Sequence, residues 1–153
     1  MGEKPFFALT QQLFAHVRDH AFEPLAQLCD DDFGIVDINA EGGTLVVRDR
    51  AGWEAWFRGL FAQLTELRAQ TWSEITRYEA SQTAEMGYSV VDFDQMLVMA
   101  DGKRLRFSCL STIIWKKTGP GETWKEARYH SSLLGVKDET EMPAVAEPNL
   151  ATA

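Results

Sequence analysis

Apolar side chains recur at helical spacing along the first part of the chain and at strand spacing along the rest. Phe6, Leu9, Leu13 and Val17 fall three or four residues apart, which predicts an amphipathic helix over residues 5–19. Pro5 suits its first turn, where the missing N–H has no partner to lose. Phe22, Leu25 and Leu28 share one face of a shorter helix over 22–30, and Asp30, Asp31 and Asp32 then break the pattern. Residues 35–38 and 44–47 are β-type runs around Glu41-Gly42-Gly43, which predicts a hairpin. Asp49 is placed to cap a third helix, carried by Trp53, Trp56, Phe57, Leu60, Phe61 and Leu64. Gly59 inside that helix costs it about 1 kcal/mol against Ala.

After residue 69 the period falls from 3.6 to 2. Residues 70–80, 83–99, 104–117 and 123–135 are expected to be four strands, punctuated by Ser81-Gln82, Asp101-Gly102 and Gly119-Pro120-Gly121. In the second of these, Val91, Phe93, Leu97 and Met99 share a face on which Gln95 is the one polar residue. In the last, alternation places Ala127, Tyr129, Ser131 and Leu133 towards the helices. It turns Trp124, Glu126, Arg128, His130 and Ser132 outwards. Residues 137–153 hold four acidic residues and two prolines but few large apolar side chains, so they are expected to form a flexible acidic tail behind a single domain over 1–136. Helices followed by an antiparallel meander define an α+β class, with the helices packed on one sheet face.

Charge narrows the partners. A net charge of −8 on 153 residues repels phosphate backbones and anionic lipid, which argues against nucleic acid and membrane surfaces. The basic residues Lys103, Arg104, Arg106, Lys116 and Lys117 flank expected turns and are taken as solvated strand ends. No apolar run approaches membrane-spanning length and no signal peptide is visible, so a cytoplasmic protein is expected. Cys29 and Cys109 lack a CxxC partner and lie among apolar residues, as buried free thiols do in a reducing compartment.

The stretch 108–132, SCLSTIIWKKTGPGETWKEARYHSS, carries a family resemblance. Thr112, Trp115, Lys116 and Lys117 before a Gly-rich turn, then Trp124, His130 and Ser132 after it, resemble the end of nuclear transport factor 2-like domains. The chain is similar there to SnoaL-like proteins and to the association domain of the calcium/calmodulin-dependent kinase. The element order matches over residues 5–135. The resemblance implies a cone-shaped, mostly antiparallel sheet wrapped around the first and third helices. It also implies an open, mostly apolar pocket and a homodimer formed sheet to sheet.

Asp37 carries the most suggestive chemistry. It sits where the similar Δ5-3-ketosteroid isomerases carry their catalytic base, and a carboxylate at a pocket mouth can move a proton α to a carbonyl. The isomerase pattern also needs oxyanion donors. The corresponding positions offer only Leu13 and Phe14 on the first helix, and no carboxylate around Thr112–Ile114. A hairpin or surface acid remains the other reading of Asp37. Trp56, Phe93, Trp115 and Tyr129, with Ser131 and the polar handle Gln95, are candidates to line a pocket for a flat apolar molecule, or else to be plain core. His16 and His20 stand four apart with no convincing third ligand, so no metal and no cofactor is expected. His130 is expected at an interface or in solvent. The sequence thus poses two functions: a module that holds a small apolar molecule, or an isomerase, cyclase or dehydratase using Asp37 as base.

Overall fold

The structure is a computed structural model that describes residues 4–39, 42–118 and 123–140. Three helices, α1 (Phe7–Arg18), α2 (Phe22–Gln27) and α3 (Arg50–Glu66), accompany six strands. These are β1 (Cys29–Ile38), β2 (Thr44–Val47), β3 (Gln70–Gln82), β4 (Met86–Val98), β5 (Arg104–Lys117) and β6 (Trp124–Asp138). They form one curved, unclosed sheet in the order β2-β1-β6-β5-β4-β3, antiparallel except where β1 meets β6. The α+β class and the sheet wrapped over N-terminal helices are as expected.

Local chemistry accounts for the helices. Asp49 caps α3, its carboxylate accepting from Gly52 N at 2.8 Å. At the start of α1, Phe6 adopts a left-handed conformation with φ of 62°. That places its ring 5.3 Å from Trp115 in a stack and 5.0 Å from Trp124 edge-on, deep in the core. Phe14 packs on Phe93 and Trp53 on Phe33, so α1 and α3 fill the concave side of the sheet.

Four expectations change. The second helix stops at Gln27, and β1 starts at Cys29, six residues before the expected run. The acidic triplet does not break the strand, because its charges find partners. Lys116 lies 3.8 Å from the Asp30 carboxylate, Thr118 donates to it at 2.6 Å, and Arg128 lies 3.6 Å from the Asp32 carboxylate. The basic strand ends are therefore engaged rather than merely solvated, as Arg106 also shows by bridging Asp94 and Glu139. The last strand continues to Asp138, and Glu139 N donates to Arg104 O at 2.8 Å. Only the part of the expected tail before residue 141 lies within the described residues.

The fourth change is in facing. The β5–β6 register shifts between Ile114 and Trp115: Ile114 opposes Arg128 but Trp115 opposes Glu126, leaving Ala127 as an extra residue. This bulge reverses the alternation before it. Trp124 and Glu126 turn to the concave side instead of outwards, whereas His130 stays exposed on the convex side.

Candidate functional site

The register fixes what meets on the concave face. Ile35, Tyr129 and Ile113 form one row across β1, β6 and β5. Two residues on, Ser131 faces Ser111, and the row after it holds Leu133, Cys109 and Phe93; Asp37 follows on β1 directly after Val36, which opposes His130. Phe33 and Ile35, which alternate with Asp37 along β1, are buried, so Asp37 shares the inward face. Its side chain is partly buried, and Ile38 N donates to Oδ1 at 2.8 Å.

Burial dominates the electrostatics. Desolvation lifts the Asp37 carboxyl to about 6, against a weaker lowering by the Ile38 hydrogen bond. Desolvation also raises the Cys109 thiol to about 11, helped by the charges of Asp37 and Asp94. Burial first, and then the charge of Asp37, keeps the Tyr129 hydroxyl protonated well above its ordinary range. The charge of Asp37 thus acts on both groups, which places the carboxyl, the phenol and the thiol in one neighbourhood.

Tyr129 belongs to a hydroxyl cluster. Ser111 Oγ lies 2.9 Å from the Tyr129 hydroxyl and 3.0 Å from Ser131 Oγ. Ser131 also hydrogen-bonds the Tyr129 hydroxyl, so the three hydroxyls either close on one another or turn one hydrogen outwards. When Ser131 donates to Ser111 and Ser111 to Tyr129, the phenol hydrogen is the one turned outwards, and the nearby negative charge of Asp37 favours that arrangement.

The other candidate residues divide by depth. Trp115 is fully buried, stacked on Phe6, with Nε1 donating to Ser89 Oγ at 3.1 Å. Phe93 is closed off by Phe14. Gln95 is partly buried two rows beyond the serines, between Ser73 and Phe107. Trp56 stands half-buried on α3 with its ring edge-on to Phe57, 4.8 Å away. A separate groove of about 250 Å³ opens between the start of α1 and β6, lined by Lys4, Phe7, Leu9, Gln82 and Trp124 among others. It holds none of these residues. Among the described residues no three His, Cys, Asp or Glu side chains gather as a metal site would require, and no helix is long and apolar enough to cross a membrane.

Sequence reasoning did not single out Ser111 or Glu126. Ser111 sits two residues before Ile113 on the inward face of β5, so strand alternation contained the signal. Glu126 was hidden by the bulge.

No family model and no curated protein matches this sequence. Solved structures do. The β subunit of benzoate 1,2-dioxygenase from Burkholderia mallei matches with a TM-score of 0.71 at 11% identity, over 87% of this chain and 93% of that one. Hexachlorocyclohexane dehydrochlorinase LinA-type3 from Novosphingobium barchaimii matches at 0.65 and 14%, over 92% and 94%. An NTF2-like protein of unknown function from Pseudomonas putida matches at 0.63 and 14%, over 82% and 81%. At these identities the likeness is one of fold. The chain shares the fold of the NTF2-like structure and of a protein from Xanthomonas campestris named as a calcium/calmodulin-dependent kinase II association domain.

Proposed function

We propose that the concave side of the sheet holds a small, largely apolar molecule bearing one oxygen function, and that Asp37 moves a proton on it. The observation that carries this reading is the pairing of a desolvated carboxyl near 6 with a buried cluster of hydroxyls, one of them a phenol that feels its charge. A base is most useful when its pKa lies near the working pH. Asp37 is then mostly ionised at neutral pH and still holds a proton well enough to return it. Tyr129 supplies the oxyanion donor that the first helix lacks. The step is abstraction of a proton from carbon α to a carbonyl: Asp37 gains the proton, the C–H pair becomes the enolate, and Tyr129 donates to its oxygen. A neighbour on the same fold is named a dehydrochlorinase, so the fold accommodates an elimination.

A second reading is non-catalytic binding. It is favoured by the closed packing of Phe93 and Trp115, which leaves few aromatic faces free for a ligand. Both readings take a homodimer through the convex sheet face as the assembly, with no nucleic acid or membrane partner.

Exchange of α protons for deuterium in a panel of flat polycyclic ketones, followed by NMR, separates the two. The wild type is expected to accelerate exchange, Asp37→Asn to abolish it, and Tyr129→Phe to slow it about 10²–10³-fold. Binding, followed by quenching of tryptophan fluorescence, should survive in both variants. Binding without any exchange would leave the module; neither binding nor exchange would overturn both.

A further inference from the structure

A second buried carboxyl shares this interior. The bulge at Ala127 swings Glu126 inwards, where it is 3% exposed and lies opposite Trp115, one row behind Tyr129. Its backbone N–H donates to Leu28 O at 2.7 Å, which locks the turn of the strand. Its side chain has a single hydrogen-bond partner, the Cys29 thiol at 3.5 Å from Oε1, and forms no ion pair among the described residues.

The groups around it are committed elsewhere. Arg50, from α3, donates to the carbonyls of Ala26, Cys29 and Asp30 and to Glu54. Lys125, beside it on β6, donates to the Gln27 carbonyl. Cys29, from β1, is itself raised by burial and by the charge of Glu126. Tyr129, on its own strand, completes the set and feels its charge. A buried carboxylate without a cation is far costlier than the neutral acid. Desolvation accordingly pushes Glu126 up to about 8.

We propose that Glu126 is held as an uncharged carboxylic acid and acts as a positioning residue for the Asp37 site, which works fastest while Glu126 keeps its proton. This rests on the proton-transfer reading above. During that step negative charge leaves Asp37 and develops beside Tyr129, one row nearer Glu126. A neutral Glu126 permits the move. An ionised Glu126 opposes it by roughly threefold, the difference between a charge on the order of 10 Å away and one a row further off in a protein interior. Rising pH therefore removes activity through Glu126, while falling pH removes it through Asp37.

Glu126→Gln keeps the shape and loses the proton, so it tests the inference. Two readouts are used on the full chain. The first is the infrared C=O band of a protonated carboxylic acid in the wild type at pH 7, assigned by its loss in Glu126→Gln. The second is the pH profile of ketone exchange, or of ketone binding if exchange is absent. The expected result is a band that disappears in the variant, with the alkaline limb of the profile gone and the acid limb unchanged. Absence of the band in folded wild type, or an alkaline limb that persists in the folded variant, overturns the proposal. Loss of exchange in Asp37→Asn bears only on the base. If Glu126→Gln does not fold, a band that persists in Asp37→Asn at pH 7 supports the proposal and its absence there overturns it.

Discussion

Burying the Asp37 carboxyl works against the fold, and the sign follows from its pKa. The unfolded value is 3.8 and the folded value about 6. Between these the native state binds more protons, so stability falls as pH rises through that window and is then level. Two units correspond to about 3 kcal/mol. Asp37→Asn is therefore expected to melt several degrees above wild type at pH 7, with the gap closing below about pH 4. Calorimetry at both pH values checks this, and equal melting at pH 7 would mean the carboxyl is not desolvated. A stability loss of this kind is the cost that the proposed role of Asp37 entails. At this scale much was legible. The family resemblance drew attention to Asp37, and alternation turned Tyr129 and Ser131 towards the helices, the side that Asp37 also faces. The environment that raises Asp37 comes from strands far away in sequence, and no local pattern encodes it.

Among the elements, the lesson lies in β6 and β1. The alternation of residues 123–135 looked regular, yet one extra residue at Ala127 reversed the facing of everything before it. A bulge of this sort leaves no mark when the bulged residue is small and suits either face. The early start of β1 was hidden for a related reason: Asp30–Asp32 break an apolar pattern, and their basic partners lie some 90 residues on, in β5 and β6. Phe6 makes a sharper test of the core. A Cβ on Gly87 would lie 2.5 Å from its ring. Gly87→Ala is therefore expected to destabilise by about 1–3 kcal/mol through overpacking, seen as a lower midpoint in urea. The same Cβ would lie 2.7 Å from Ser81 O, so an unchanged midpoint would show that both the Phe6 ring and the β3 backbone give way and that Phe6 does not anchor α1.

At the level of the whole molecule, the ends of β4, β5 and β6 are tied together by the Arg106 bridge to Asp94 and Glu139, the latter side chain 7% exposed. Charge-assisted bonds of this depth are worth about 2 kcal/mol. A chain ending at residue 140 should keep that contribution and one ending at residue 137 should lose it, as thermal melts of the two would report; indistinguishable melts would remove Glu139 from the account. The convex face carries Thr112, His130 and Ser132 exposed beside half-buried Ile114. Light scattering at micromolar concentration is expected to give a dimer, and a monomer would end the sheet-to-sheet assembly. The concave face bears the central claim, and its ionisation can be observed at a single atom. In carboxyl-labelled protein the Asp37 ¹³C signal, assigned through Asp37→Asn, should titrate with a midpoint near 6. That midpoint should move when a ring ketone is added. A midpoint near 4, the ordinary carboxylate range, indifferent to added ketone, would contradict the account.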